Sequence, residues 1–239
     1  MPTPSSVLAS VLRSDPARPR ITFYEDTPGP TRGERIELSG KVLANWVNKA
    51  ANALQDEFDL GPGATVRLDL PPHWRSIYWA MAAWSVGATV VVGGDDGDDA
   101  DLLVTDDPAA AEDAPGAAVL VTLAALARRS PDASPDATAM DEARELSTYG
   151  DQFTAWDEPD EDAPALRSAG AEAAYGAVVE DRGWERGVRV HLSGGDLGRV
   201  LTAALSAWAA DGSVVLTRGE LDDEARSHRV ATEGITLQE

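Results

Sequence analysis

The sequence predicts an α/β fold: a layered, largely parallel β-sheet flanked by helices, with an N-terminal β-hairpin. Segments of strand length alternate with segments in which apolar residues recur at helical spacing, as expected for layers of sheet and helix. The runs at 88–92, 102–104 and 213–216 are almost entirely apolar, which is typical of strands covered on both faces of a parallel sheet. A chain of 239 residues can bury such a core as one large domain or two small ones.

The first part of the chain predicts a short helix, a hairpin and two long helices. Apolar residues at 7–12 indicate the short helix, and strands at 21–24 and 35–38 form the hairpin. Ser39 is a suitable N-cap for the first long helix. The apolar positions that recur in that helix, all expected to be buried, are Leu43, Trp46, Val47, Ala50 and Leu54. After a strand at 65–70, the apolar face of the next helix carries Trp74, Ile77, Tyr78, Met81 and Trp84.

The second part of the chain predicts shorter elements around a long connection. Strands are expected at 88–92, 102–104, 119–121, 177–179, 188–192 and 213–216. Helices are expected at 123–129, 197–208 and 221–233. The stretch 130–166, rich in proline, aspartate and alanine, predicts a partly ordered connection. We therefore divide the chain into an N-terminal α/β part (1–129), the acidic connection (130–166) and a second α/β part (167–239), within one structural domain overall.

Charge and composition exclude several classes of function. With 20 basic and 41 acidic side chains the formal net charge is −21, which argues against a nucleic-acid partner because such proteins present basic patches to the phosphate backbone. No apolar run is long enough to span a bilayer and the N terminus lacks the features of a secretion signal, so we expect a cytoplasmic protein without a membrane partner. The absence of cysteine excludes disulfides, thiolate metal sites and a cysteine nucleophile.

The stretch 21–92 resembles the beginning of the adenylate-forming superfamily, which comprises acyl-CoA synthetases, peptide-synthetase adenylation domains and luciferases. In that superfamily a hairpin leads into a long helix, a Gly-Pro-Gly turn, a strand ending in Leu-Pro and a helix closed by Gly-Ala. The matching residues here are 36–39, Gly61-Pro62-Gly63, Leu70-Pro71 and Gly87-Ala88. A second match at 205–216 is similar to the helix, glycine turn and buried strand after the superfamily's phosphate loop. The resemblance implies the N-terminal half of the superfamily's large domain. The chain looks most similar to a small bacterial family of unknown function that is distantly similar to AMP-binding enzymes.

The phosphate loop is where the chain departs from the superfamily. That loop is rich in serine, threonine and glycine and ends in a lysine, which adds positive charge beside bound ATP. In the stretch that falls at its place, Ser168 and Gly170 survive, Glu172 takes a threonine position and Gly176 stands where the lysine belongs. A carboxylate beside a triphosphate is repulsive. The resemblance therefore implies a vestigial phosphate loop at Ser168, Gly170 and Gly176.

The remaining titratable residues indicate structural roles. His73 is interpreted as a helix cap or a pocket wall, and neither His191 nor His228 has a metal-ligand spacing. The turn at 193–196 is interpreted as an ordinary N-cap turn, with an anion site as the alternative. The aspartates in 95–101 lack an EF-hand pattern and are interpreted as a solvated loop. We expect no catalytic residue, no metal and no cofactor.

The predicted function is that of a non-catalytic protein similar to AMP-binding enzymes, acting as a binding or regulatory module with a protein or a small molecule as partner. The only lysines are Lys41 and Lys49, so the superfamily's lid lysine has no counterpart. Two alternatives stay open. One is a small-molecule binder that retains a nucleotide or acyl pocket without turnover. The other is a ligase-like enzyme of the acyl-CoA synthetase class that a partner chain completes.

Overall fold

The computed structural model describes residues 2–93, 100–134 and 138–239. It confirms an α/β fold of largely parallel sheet and flanking helices that begins with a hairpin. The strands are β1 (Pro19–Glu25), β2 (Arg35–Ser39), β3 (Thr65–Asp69), β4 (Thr89–Val92), β5 (Leu102–Thr105), β6 (Ala117–Leu120), β7 (Met140–Asp141), β8 (Pro164–Ser168), β9 (Ala171–Ala174), β10 (Arg189–Ser193), β11 (Ser213–Arg218) and β12 (Leu237–Gln238). The helices are α1 (Pro4–Ser14), α2 (Gly40–Asp56), α3 (Trp74–Ser85), α4 (Pro108–Glu112), α5 (Glu142–Glu145), α6 (Leu197–Ala209) and α7 (Asp223–Glu233).

The described strands form two sheets rather than one. The first sheet has the order β12-β10-β11-β1-β2, and the second sheet has the order β7-β6-β5-β3-β4-β8-β9. Every pairing is parallel except for the edge strands β2 and β9, which pair antiparallel to β1 and β8. The chain passes between the sheets more than once, because β1 and β2 pair beside β11 while β8 and β9 extend the sheet begun by β3.

A layer of helices joins the two sheets. Helix α3 contacts β3 and β4 of the second sheet as well as α1, α2 and α6, and α6 contacts β10 and β11 of the first sheet. Every residue of α3 from Trp74 to Trp84 is buried. Full burial of a large apolar side chain stabilises a protein by about 1.5–3 kcal/mol, so the buried side chains of α3 contribute strongly to the stability of the fold.

Two side chains cap the long helices as the sequence indicated. The Ser39 hydroxyl accepts a hydrogen bond from the Val42 amide at 3.3 Å at the start of α2. His73 caps α3, with Nδ1 accepting from the Arg75 amide at 3.2 Å. Burial of the ring, followed by the nearby Arg75 and Arg218 charges, holds the pKa of His73 well below its ordinary value. This histidine is therefore a neutral structural cap.

Two predicted elements are wrong. Residues 123–129 form turns rather than a helix, because their backbone is held by distant side chains: Arg75 Nη2 donates to Ala124 O at 3.2 Å and Ala125 N donates to Glu34 Oε2 at 3.2 Å. Residues 177–179 form a turn rather than a strand. The amides of Ala177 and Val178 both donate to Ala174 O, so they are not available to a neighbouring strand.

The burial of Trp46 differs from the prediction for the apolar face of α2. Leu43, Val47 and Leu54 are fully buried, whereas Trp46 is only half-buried at the edge of the stripe. Its ring stacks on Tyr78 with 5.8 Å between the ring centroids. The helical period alone placed Trp46 with the buried residues, but the neighbouring helix covers only part of so large a side chain.

Part of the predicted connection at 130–166 is ordered on the surface of α2. Asn48 Nδ2 donates to Asp151 O at 2.8 Å, Lys49 Nζ donates to Tyr149 O at 2.5 Å, and Gln55 Oε1 accepts from the Trp156 amide at 3.0 Å. The side chain of Trp156 is 63% exposed. Polar residues of one helix thus hold a segment that the sequence assigned to a loose connection.

Strands β4 and β5, which precede and follow the predicted acidic loop, are not neighbours in the sheet, because β3 lies between them. Four of the clustered aspartates, at 95, 96, 98 and 99, lie outside the described residues. The fifth, Asp101, accepts hydrogen bonds from Thr65 N at 2.7 Å and Thr65 Oγ1 at 2.9 Å, so its carboxylate ties β5 to β3.

Candidate functional site

The predicted phosphate loop begins in a tight β-hairpin. Ser168 pairs with Ala171, and the turn between β8 and β9 consists of Ala169 and Gly170 alone. Both turn residues have positive φ, 51° and 76°, as in the two-residue turns that fit the twist of a hairpin. Glycine adopts such angles freely, which explains Gly170.

Gly176 lies away from this turn. Pro164 pairs with Ala174 at the far end of the hairpin, and Gly176 follows beyond that pair. Its amide donates to Glu161 O at 2.9 Å, and a Cβ there would lie 3.3 Å from the same oxygen. The structure therefore brings Ser168 and Gly170 together at the turn and places Gly176 beyond the other end of β9. The residue types matched the superfamily's phosphate loop. The tight turn at Ala169 and Gly170 reverses the chain, so that β9 runs antiparallel to β8.

The tip of the hairpin packs on the first turn of α6. Asp196 is the N-cap of α6, with Oδ1 accepting from the Gly198 amide at 3.0 Å, which confirms an ordinary cap in the turn at 193–196. Ser168 Oγ lies 3.4 Å from Asp196 Oδ2, and a Cβ at Gly198 would collide with Ser168. An Asp at the N-cap already accepts from the helix amides that would otherwise bind an anion.

The charged side chains around the tip include more acids than bases. Arg167 Nε contacts Glu172 Oε2 at 2.8 Å across the hairpin, and both side chains are about half exposed. Neither lysine is nearby in the fold, because both belong to α2, and Lys49 Nζ is engaged by Asp151 Oδ1 at 2.9 Å. The tip therefore presents two carboxylates, Glu172 and Asp196, and one arginine that is already paired.

A buried ion pair was missed by the sequence analysis. Arg75 Nη1 lies 2.7 Å from Glu142 Oε1, and their side chains are only 4% and 1% exposed. The Tyr78 hydroxyl donates to the same carboxylate. Burial raises the pKa of Glu142 even though Arg75 and Tyr78 stabilise its charged form. The signal was an arginine inside an otherwise apolar helix, because such a residue is rarely buried without a partner.

The three histidines lie in different elements of the fold. His73 caps α3, His228 lies exposed on α7 and His191 is buried in β10, where Nε2 lies 3.0 Å from Thr217 Oγ1. Within the described ranges, no three His, Asp or Glu side chains are grouped closely enough to hold a metal ion. The same residues contain no helix that is both long and apolar enough to cross a membrane.

Known proteins are similar to this chain in sequence and in fold. No protein-family model matches the chain. A Mycobacterium tuberculosis protein described as "TIGR03089 family protein" is 31% identical over 255 residues, covering 99% of each chain.

Solved structures share the fold at low sequence identity. The acyl-CoA synthetase of Brucella canis superposes with a TM-score of 0.74 at 14% identity, over 99% of this chain and 47% of that one. The N-terminal domain of FACL13 from Mycobacterium tuberculosis superposes with a TM-score of 0.68 at 12% identity, over 100% and 62%. The chain thus spans about half the length of the Brucella enzyme. It has the fold of the N-terminal part of the acyl-CoA synthetases, and it belongs to the TIGR03089 family.

Proposed function

We propose that this chain is a non-catalytic protein with the fold of AMP-binding enzymes, acting in the cytoplasm as a binding or regulatory module for a protein or small-molecule partner. The observation that carries the proposal is the hairpin at Ser168–Ala171. A phosphate-binding loop needs several successive amides that face the anion. A turn of two residues, Ala169 and Gly170, leaves too little backbone for such a cradle.

The charges support the same conclusion. The carboxylates of Glu172 and Asp196 lie at the hairpin tip and at the helix start that contacts it. Two like charges at 4 Å repel each other by about 1 kcal/mol even in water, and a triphosphate carries several charges. Arg167 and Glu172 neutralise each other as an ion pair, so the pair adds no net positive charge for a triphosphate, and Asp196 adds a negative one.

The test is adenylate formation by the purified full chain. We expect no ATP–pyrophosphate exchange with a panel of carboxylic acids, and no saturable heat of ATP binding by calorimetry. The heat-denatured protein is the control for contaminating activity. Exchange above that control would refute the proposal.

Two variants separate charge from backbone geometry. Ala171→Lys introduces a cation at the hairpin tip, and Gly176→Lys introduces one at the opposite end, where the lysine would stand by sequence match alone. We expect both variants to remain without exchange activity, because neither lengthens the turn. Adenylate formation by either variant would show that the backbone is still competent and that only charge was missing.

Titration with AMP and acyl-CoA distinguishes the remaining possibilities. Saturable binding without turnover would assign the chain to the small-molecule binders. Exchange activity that appears only with a second chain would assign it to the ligases completed by a partner.

A further inference from the structure

Trp156 has an exposed side chain on a backbone that is fixed. The side chain is 63% exposed, whereas the tryptophans of α3 and α6 are buried. Gln55, a buried residue of α2, holds this part of the chain: its Oε1 accepts from the Trp156 amide at 3.0 Å and its Nε2 donates to Thr154 O at 3.3 Å. A tryptophan on an ordered backbone loses little further entropy when a partner covers it, and tryptophan is among the residues that contribute most to protein–protein binding.

A cavity of about 390 Å³ adjoins this tryptophan. Ala155 and Asp157, its two neighbours in the chain, line the cavity together with Phe153 and Glu158. Phe153 also packs against the hydrophobic core, so the cavity has an apolar floor beside its two carboxylates. No basic residue is in the lining. The volume is within the range of ligand pockets, about 300–1,000 Å³, and leaves room for a long side chain of a partner.

The carboxylates around the cavity lack basic partners. Between 146 and 166 the chain has six acidic residues and no basic one. Asp151 pairs with Lys49 at 2.9 Å. Among the residues that the structure describes, no cation lies within ion-pair distance of the other five, all of which are exposed: Asp157, Glu158, Asp160, Glu161 and Asp162.

Acids elsewhere on the surface are different. In the first sheet Glu25 pairs with Arg218 at 3.0 Å, and Asp26, which follows it, pairs with Arg229 at 2.6 Å. The segment 157–162 is therefore a stretch of negative charge that the described part of the chain leaves uncompensated. A cationic group is the chemistry that complements it.

We propose that Trp156, the cavity beside it and the carboxylates of 157–162 form a docking surface for a basic segment, rich in arginine or lysine, of a protein partner. A guanidinium or ammonium group stacks on the face of an exposed tryptophan while neighbouring carboxylates contact its charge. The carboxylates continue past the cavity to Asp162, so they offer more contacts than one small amine uses. A second copy of this chain is a poor occupant, because two molecules with formal net charges of −21 repel each other.

The inference rests on the proposed function and deepens it, because it states the kind of protein partner. The two fail separately. ATP–pyrophosphate exchange would refute the proposed function without any change at Trp156. Failure of a basic peptide to bind would overturn the docking surface and leave the exchange result as it is.

The experiment is a titration of the full chain, labelled with ¹⁵N-tryptophan, with acetylated hexa-arginine amide as probe and acetylated hexaserine amide as uncharged control. In sodium chloride at about 0.15 M we expect only hexa-arginine to shift the indole N–H signal of Trp156 saturably, with a dissociation constant on the order of 100 μM. Trp156→Phe identifies this signal by its loss, and the buried Trp208 is the internal reference. Absence of a saturable shift would overturn the proposal.

Matched variants separate this surface from the general attraction of an acidic protein for cations. Asp157→Asn combined with Glu158→Gln should weaken hexa-arginine binding by about fivefold or more, because two unpaired carboxylates beside the tryptophan are lost. Asp223→Asn combined with Glu224→Gln makes the same change in net charge in the exposed first turn of α7, and it should stay within about twofold of the parent. Equal weakening in the two double variants would overturn the proposal.

The contribution of the tryptophan is measured by calorimetry with the same peptide. Trp156→Ala should weaken binding by about threefold or more, and Trp156→Phe should retain more of the affinity because phenylalanine keeps an aromatic face. The side chain is largely exposed, so both variants should fold as the parent does, which circular dichroism checks. Equal affinity in Trp156→Ala and the parent would contradict a docking role for the ring.

Sedimentation velocity of the full chain without peptide tests the competing occupant. We expect no self-association that depends on Trp156. A dimer that Trp156→Ala dissociates would show that a second copy covers this surface, and it would overturn the assignment to a basic partner.

Discussion

Helices α6 and α7 pack on opposite faces of the same sheet by different means. In α6, ten of thirteen residues are buried, and Trp208 is 2% exposed with Nε1 donating to Arg20 O at 3.1 Å. In α7, a helix of eleven residues, none is buried. The burial of apolar side chains holds α6 against the sheet. Helix α7 must be held by other contacts, because it offers little apolar area to the sheet.

Helix α7 is held by charged groups in its C-terminal half. Glu233 accepts from Tyr24 Oη at 2.5 Å, from Arg189 Nη2 at 2.5 Å and from Arg35 Nη2 at 3.0 Å. Arg229 pairs with Asp26, and its guanidinium lies 3.8 Å from the centroid of the Tyr24 ring. These contacts are directional, whereas the burial of α6 is not.

The two modes of packing leave space in different places. On the α6 side, a cavity of about 300 Å³ lies at the end of the helix, lined in part by Ser206, Ala209 and Ala210. On the α7 side, polar contacts hold the helix at a few points, and a cavity of about 430 Å³ lies between the helix and the ends of β10 and β11.

The largest expected effect is on the α6 side. Trp208→Ala should lower the free energy of unfolding by about 3–5 kcal/mol, as other large-to-small aromatic substitutions in a core do. The loss should be the same at low and high salt, because apolar burial is not screened. Urea unfolding followed by tryptophan fluorescence measures it. A loss below about 1 kcal/mol would mean that α6 is not the main apolar contact of this sheet.

On the α7 side, Glu233→Gln should have a smaller effect that depends on salt. We expect a loss of about 1.5–3 kcal/mol at low ionic strength, because the hydrogen bonds from three side chains lose their charge assistance. Sodium chloride at about 1 M should reduce the loss, since screening already weakens these contacts in the parent. Hydrogen exchange should be faster in α7 and unchanged in α6.

The matched control is Glu224→Gln, an exposed acidic residue in the first turn of the same helix. It should change stability by less than about 0.5 kcal/mol. If both variants behaved alike, the effect would belong to the net charge of the helix and not to the contacts of Glu233.

The contribution of Glu233 to the free energy of unfolding should depend on pH in a defined direction. Burial opposes the ionised form of Glu233, but hydrogen bonds from Tyr24, Arg189 and Arg35 outweigh it, so the pKa of Glu233 is lowered. A lowered carboxyl pKa contributes stability above the unfolded value, and that contribution is lost as pH falls through the folded value. The difference in stability between the parent and Glu233→Gln should therefore shrink as pH falls below about 4. A difference that does not change from pH 7 to pH 3 would contradict the role of the charge.

The smallest effect is expected for Tyr24→Phe. This substitution removes the hydroxyl that bonds to Glu233 but keeps the ring beneath Arg229. We expect a loss of about 0.5–1.5 kcal/mol, the net contribution of one hydrogen bond. A larger loss in urea unfolding would indicate that the hydroxyl also orders Arg35, whose Nε donates to it at 3.0 Å.

Sequence patterns predicted most of the helices and strands but failed where distant segments decide the backbone. Residues 123–129 have a helical composition, but Arg75 and Glu34 bind their backbone from more than 45 positions away. Gly176 matched a loop position by order along the chain, and the hairpin turn at 169–170 places it at the other end of β9. Neither outcome is visible in a local window of sequence, because both depend on long-range geometry.

The sequence by itself determined the elements of the first part of the chain, the caps Ser39 and His73, and the resemblance to the fold of adenylate-forming enzymes. These depend on spacings of a few residues and on their order, which are visible in one dimension. Only the tertiary structure decided that the strands divide into two sheets and that Arg75 pairs with Glu142. Those outcomes depend on which distant segments meet when the core closes, and charges 67 positions apart, as in Arg75 and Glu142, carry no mark of their pairing.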